Sequence, residues 1–488
     1  AMKCGEELPS AGRSERLSFT VEPQLLRAAP LQVVLSGWCK HWKGLHVESG
    51  EELFELSRPV QSIDVFLSHD WETSRWMKLM AMLLVFNSPA AAMAALLASI
   101  ATGVAQVSGI VGDRLWFFPS YWVYLFVLCF WQRIRGVCRH RMVFMDKLCI
   151  NQKDDKMKEV GILGLGAFVQ RSDKLLVLWS QRYFNRLWCA YEMGCFFSRE
   201  EGQLEILPVK VAYILILTTI FWHAIMAALR FAAILLLQGG LDEGSPALLL
   251  SLSAFCGPVT LVVLPLMNYL GMSIMRDVHQ LPDQLQNFRL QDAQCFCCSH
   301  HHRHPETGQE LICDRELVYE TLSELYSPSQ KESVDPLEKF NRRVRDRLGP
   351  KILRRVGVRF PFKYVLFIVM VSNLASLPRV ITSLVEGSSH LTSWSHRAIW
   401  SSVVFLQWFQ RCLVMIFFLE ISVRLWTRLK FRQRKVAWAI ALSPIQFGMV
   451  GGFWICLELV DNVGGSDSFL PWLVFLLALM LCMLLHLC

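Results

Sequence analysis

Charge is scarce in this chain. Only 18% of its 488 residues are Asp, Glu, Lys or Arg, while 53% are hydrophobic. Soluble globular domains carry about a quarter charged residues, so the deficit points to lipid as part of the solvent. Other absences narrow the field. No Asn-x-Ser/Thr acceptor occurs, which suits short loops on an outer face. No Gly-rich loop ending in Lys-Ser/Thr is present, which argues against ATP-driven transport of the P-loop kind. The first residues hold no short apolar stretch before a small-residue cleavage site, so no secretory signal peptide is expected. The 16 cysteines are scattered, several inside apolar runs, without the regular spacing of a disulfide scaffold. The soluble parts are therefore expected to be reduced and cytosol-facing.

What is present is a set of long apolar runs. Eight are long enough to be candidate spans: about Ala90–Val111, Leu115–Trp131, Val211–Leu237, Ala247–Met275, Tyr364–Val385, Ala398–Phe418, Val436–Leu457 and Phe469–Cys488. The uncharged stretch from Leu79 to Gly112 exceeds one span, and Asn87-Ser88-Pro89 is read as the break that leaves an amphipathic lead-in. Basic residues choose the orientation. Arg133, Arg135, Arg139 and Arg141 follow the second run, eight Lys and Arg lie within Asn341–Phe360, and six lie between Arg424 and Lys435. The alternate loops, Gln238–Pro246 and Asp461–Ser468, have none. The positive-inside rule then predicts a multi-pass integral membrane protein with both termini cytoplasmic. The net charge of +8 is accordingly assigned to the anionic cytoplasmic leaflet of the bilayer, and no nucleic-acid partner is expected.

Four short apolar runs with turn signals fall in the cytoplasmic parts: Ser62–Ser68, Met142–Asp146, Lys174–Ser180 and Leu204–Val209. Near-continuous apolar strands alternating with helix-like stretches predict a short parallel sheet covered on both faces. The predicted fold class is thus a polytopic α-helical membrane protein of about eight spans, carrying a cytoplasmic α/β domain.

Three motifs occur in order within that domain. Asp64-Val65-Phe66-Leu67-Ser68-His69 resembles the first box of TIR domains. Phe144-Met145-Asp146-Lys147-Leu148-Cys149-Ile150-Asn151-Gln152 resembles their second strand and following loop, and equally the signature of the TIR-like heterokaryon-incompatibility domains of fungi. Leu178-Trp179-Ser180, then Tyr183-Phe184, then Arg186-Leu187-Trp188-Cys189-Ala190-Tyr191-Glu192 resembles the third strand and its helix with the Trp-Cys-x-x-Glu hallmark. The resemblance covers roughly 120 residues. It departs from the family where a membrane hairpin at about 90–131 interrupts the domain. The expected division is residues 1–58 as an N-terminal cytoplasmic segment and 59–210 as the interrupted TIR-like domain. A membrane hairpin follows at 211–275, then a cytoplasmic Cys/His-rich and basic region at 276–361 and a four-helix membrane region at 362–488.

The resemblance implies that Glu192 matches the catalytic glutamate of family members that cleave NAD between nicotinamide and ribose. The residues add a local reason. Glu192 is the only charge between Leu187 and Phe197, and a carboxylate in apolar surroundings has a raised pKa unless it has a partner. The other reading is a glutamate paired with an arginine. Ser68, His69, Asp146, Asn151 and Trp188 are candidates to line the NAD cleft at the strand ends. Asp146 and Asn151 are equally suited to turn hydrogen bonds, and Trp188 to a core.

Two further features stand apart. Cys295, Cys297, Cys298, His300, His301, His302, His304 and Cys313 crowd into nineteen positions, a soft-ligand density that suits a structural zinc ion. Palmitoylation of the cysteine run and a polar loop are the rival readings. Arg411 lies near the middle of its run, where a charge reads as functional. Arg230, Arg379, Glu420 and Glu458 lie nearer the ends, where snorkelling suffices. Three functions stay open: a TIR-like NAD-cleaving signalling protein, a non-catalytic scaffold that associates with other TIR domains, and a transporter or channel with a regulatory domain.

Overall fold

The computed structural model describes residues 22–42, 50–112, 118–138, 140–198, 202–240, 246–303, 308–326, 335–350, 362–389, 393–430 and 432–464. The chain forms two compact units, each assembled from three separate stretches. One takes residues 1–75, 140–206 and 282–351, and the other takes 76–139, 207–281 and 352–488.

The first unit is built on a six-stranded sheet. Its strands are β1 (Arg27–Pro30), β2 (Arg58–Pro59), β3 (Ile63–His69), β4 (Met142–Phe144), β5 (Ser172–Trp179) and β6 (Gln203–Pro208). They lie in the order β2-β1-β4-β3-β5-β6. β3 pairs in parallel with β4 on one side and β5 on the other. Both β3 and β5 are buried along nearly their whole length, as strands covered on two faces must be. The stacked rings of Phe66 and Phe144, with Phe168 against Phe144, form part of that core.

The expectation of a wholly parallel sheet is corrected: β1 pairs antiparallel with both β2 and β4, so the sheet is mixed. These two strands escape a propensity reading because they are short, end in proline and hold no β-branched residue. Side-chain contacts hold them instead. The Arg27 guanidinium donates to Ser57 Oγ at 2.9 Å and lies 4.2 Å over the Phe54 ring.

The late stretch of this unit packs on the helix Leu187–Phe197. Tyr326 OH donates to the Gly194 carbonyl at 2.9 Å, and a Cβ at Gly194 would stand 3.0 Å from both Leu322 and Phe340. Glycine is needed there for close approach rather than for a turn.

Among the described residues, four helices are long and apolar enough to cross a membrane: Arg75–Val107, Val209–Gln238, Leu261–Gln286 and Trp394–Leu429. The pair Phe367–Leu374 and Leu377–Glu386, bent by 53°, makes a fifth if it counts as one span. Eight spans exceed what the described residues carry. Phe118–Arg135 and Lys435–Gly464 are not among those helices, and the run Phe469–Cys488 lies outside the described residues.

The break expected at Asn87-Ser88-Pro89 is also corrected. A π-helical turn at Leu83–Asn87 leads directly into Ser88–Val107, so the chain stays helical over 33 residues. A widened turn accommodates a proline that lacks an N–H and crowds the preceding carbonyls. Asn87 Nδ2 uses the distortion to donate to Leu128 O at 2.7 Å, and Gln132 Nε2 donates back to Asn87 Oδ1 at 2.9 Å. A second buried network joins three helices. Trp426 Nε1 donates to Asn268 Oδ1 at 2.7 Å, and Asn268 Nδ2 donates to Gln446 Oε1 at 2.8 Å.

Candidate functional site

The parallel strands occur along the chain as β3, β4, β5 but lie side by side as β4-β3-β5. The chain therefore moves to one side of β3 and then crosses to the other. At such a reversal the two following helices diverge and leave a crevice beyond the carboxyl ends of the strands. Ser68 and His69 close β3 at that end.

The helix Leu187–Phe197 starts after a short 3₁₀ turn, Tyr183–Asn185, with Arg186 in extended conformation as its first flank. This brings Glu192 over the end of β3. Ser68 Oγ donates to Glu192 Oε2 and lies 2.6 Å from Tyr183 OH. A hydroxyl has one proton to donate, so when Glu192 is ionised and accepts from Ser68, the second bond runs from Tyr183 to Ser68.

Burial pushes the Glu192 carboxyl up to about 8, the negative charge of Asp146 adds to the rise, and the Ser68 hydrogen bond opposes it. Glu192 itself is only half-buried. Among the described residues no cation pairs with it. The arginine at the start of its helix, Arg186, reaches Glu72 at 3.5 Å and the buried Asp70 at 3.9 Å instead. The arginine-paired reading of Glu192 therefore has no support in the contacts.

The other candidates divide. Asp146 accepts from Trp71 Nε1 at 2.9 Å and from the backbone N–H of Lys147 at 2.8 Å. His69 is buried between the edges of Trp42 and Trp71, with ring centroids 4.4 and 4.8 Å away. Ser68, His69, Asp146 and Glu192 thus share one end of the sheet. Asn151 serves a turn: its Oδ1 accepts from the N–H groups of Lys153 and Asp154 at 2.9 and 3.1 Å, just before the helix Asp155–Leu163. Trp188 points to the late stretch of the unit, where its Nε1 donates to Asp314 Oδ2 at 3.2 Å. Sequence reasoning passed over Tyr183, Trp42, Trp71 and Asp70 as site residues. Tyr183 lay inside a quoted motif, whereas the two tryptophans carry no local signal.

The Cys/His region makes a second site. Cys297, Cys298, His302 and Cys313 bring one ligand atom each to within 4.8 Å of one another, so they can hold a metal ion such as zinc. The Cys297–Cys298 and Cys298–Cys313 sulfur separations are both 3.9 Å. Tetrahedral zinc with Zn–S bonds of about 2.3 Å requires sulfurs about 3.8 Å apart, so the donor set fits. Cys295, Cys297 and Asp314 form a second group whose ligand atoms lie within 4.8 Å of one another, although the Cys295 and Cys297 sulfurs, 3.0 Å apart, are closer than tetrahedral spacing. His300 Nδ1 bonds its own helical carbonyl, Phe296 O, at 2.9 Å, and His304 lies outside the described residues. His302 is brought in by a turn in which it and His301 both take left-handed backbone, φ 58° and 54°. Non-glycine residues hold that conformation only where the surroundings impose it.

Comparison of the chain with protein-family models, with curated proteins and with solved structures yields no match.

Proposed function

We propose that this chain is a membrane-anchored, TIR-like signalling protein that cleaves NAD between nicotinamide and ribose, with Glu192 as the catalytic carboxylate. One observation carries the reading: the Ser68–Glu192 hydrogen bond lies at the strand ends where the order of the parallel strands reverses. Doubly wound sheets take their ligands at such a point. The raised pKa of Glu192 and its lack of a cationic partner among the described residues support it.

The bond that breaks joins nicotinamide N1 to ribose C1′. Its electron pair leaves with the ring, which departs neutral. Water closes on the oxocarbenium-like carbon and gives up a proton. Ionised Glu192 stabilises the positive carbon. Ser68 holds the carboxylate in place and favours its charged form.

The pH dependence follows. With the carboxyl at about 8, the ionised form is the minority at pH 7. The kcat/KM for nicotinamide release should rise about tenfold per pH unit below that value and level above it. Ser68→Ala removes a hydrogen bond that favours the charged form and should move the limb to higher pH. A profile flat between pH 6 and 9 would remove Glu192 from the chemistry. No release of nicotinamide at any pH would favour the scaffold, in which the same sheet associates with other TIR domains.

The membrane part of the proposal retains eight spans, both termini in the cytosol, and basic clusters against an anionic leaflet. Cys138 is exposed and follows the helix Phe118–Arg135. In sealed cells an impermeant thiol reagent should leave it untouched until the membrane is opened. Labelling of Cys138 from outside inverts the topology.

A further inference from the structure

The strand order β4-β3-β5 decides which loops border the crevice. The neighbouring strands whose connections diverge are β3 and β5. The mouth therefore lies between the loop after β3, residues 70–74, and the loop after β5, residues 180–186. Charged side chains from these two loops meet across it. The Glu72 carboxylate pairs with Arg182 and lies 3.5 Å from Arg186, and Arg186 lies 3.9 Å from Asp70.

The two acids are held differently. Asp70 is buried and accepts from the Glu72 N–H and the hydroxyls of Thr73 and Ser180, at 3.3, 3.3 and 3.4 Å. It is fixed in place and orients Arg186. The Glu72 side chain is 53% exposed and that of Arg182 60%. Among the described residues, the contacts of the Glu72 carboxylate are with the two arginines. An exposed ion pair contributes little, so Glu72 is readily exchanged for a stronger anion. Phosphate is such an anion, because guanidinium forks meet its oxygens in pairs.

Position narrows the ligand. Arg186 flanks the start of the helix that carries Glu192, about 9 Å from it along the axis. Tyr183 of the same loop meets Ser68, which holds Glu192. A ligand whose reacting carbon lies at Glu192 therefore sets a phosphate one ribose away, on the two arginines.

From these observations we infer that Arg182 and Arg186 form a diphosphate subsite at the crevice mouth, and that Glu72 occupies it until a nucleoside diphosphate ligand displaces it. The inference rests on the NAD reading for the identity of the ligand, and not on turnover by Glu192.

The test is calorimetric binding of two probes to the purified full chain in nonionic detergent: ADP-ribose, the product of the proposed cleavage, and inorganic pyrophosphate. Both should bind, in competition with each other, and both should weaken as salt rises. Arg182→Gln and Arg186→Gln should each weaken ADP-ribose about tenfold, and Glu72→Gln should tighten it about threefold. The tightening separates a placeholder from an ordinary surface ion pair, whose loss would change nothing. Arg182 is exposed, so Arg182→Gln and Glu72→Gln still decide if Arg186→Gln, which leaves buried Asp70 without its cation, fails to fold. ADP-ribose binding that follows the arginines, in a chain that releases no nicotinamide, keeps the subsite and removes the NAD chemistry. Nicotinamide release with a KM unchanged in both arginine variants removes the subsite and keeps the chemistry. No binding of either probe by the wild type, or ADP-ribose binding unchanged in well-folded Arg182→Gln and Glu72→Gln, overturns the inference.

Discussion

Chelation is expected to remove about one zinc ion per chain and to open residues 294–313 to protease. The helix Asp314–Leu325 that follows is held by its own packing. Between Gln294 and Cys313 the described residues carry only one short helix, Phe296–Ser299, and a bridge between Arg303 and Glu310. Four soft ligands within 4.8 Å of one another could hold a structural ion, and in small domains such a site contributes on the order of 10 kcal/mol of folding energy. The effect should travel. Gln294 donates its N–H to Asn185 O at 2.6 Å and accepts from Leu187 N–H at 3.1 Å, which stitches the ligand-bearing chain to the start of the Glu192 helix. Trp188 adds its bond to Asp314, the neighbour of Cys313. Loss of zinc should therefore speed hydrogen exchange at Leu187 and Trp188, and Cys313→Ser should reproduce most of the change. Elemental analysis that finds no zinc, with Cys297 and Cys298 carrying acyl groups, would replace the metal by a lipid anchor.

Glu192→Gln should lower nicotinamide release by about 10²–10⁴-fold while leaving the fold intact, because Gln keeps the shape and still accepts from Ser68. The same variant carries a stability signature of opposite sign. The ordinary carboxylate value is 4.5, and burial raises Glu192 to about 8. Below pH 4.5 the group is protonated folded and unfolded, and the wild type has no handicap. Between 4.5 and 8 the unfolded chain ionises first, so wild-type stability falls, and above 8 the whole cost is present. Relative to wild type, Glu192→Gln should be more stable at pH 8.5, by at most roughly a few kcal/mol, and no more stable at pH 4. Thermal unfolding at the two pH values checks this. Equal stability at both would mean that Glu192 is solvated like a surface carboxylate.

The two units differ in how far local sequence disclosed them. β3, β4 and β5 were legible because buried parallel strands are near-continuous apolar runs, and β6 as a short apolar run at the sheet edge. The Arg27–Pro30 and Arg58–Pro59 strands were not, since what pairs them is the Arg27 contact with Ser57 and Phe54, thirty residues away. Pro89 was misread as a break because a π-turn absorbed it, and that turn is stabilised by Gln132 on another helix. At the second site the density of Cys and His was visible. The choice of His302 over His300 depended on a left-handed turn that no residue type announces. Arg230 was read as a snorkelling end residue, yet it lines a cavity of the second unit with Arg411, which is a property of tertiary packing. The Glu192 site was legible as a motif, but its company was assembled by the crossing from β4 to β5: Tyr183 behind Ser68, and Asp146 held by Trp71.

The most direct test is nicotinamide release from NAD by the purified full chain, measured both dispersed in detergent and clustered on lipid vesicles, with Glu192→Gln alongside. Release by the wild type in at least one state, abolished in a variant that still unfolds cooperatively, is the predicted result. Release at the same rate from the variant, or none from the wild type in either state, would contradict it.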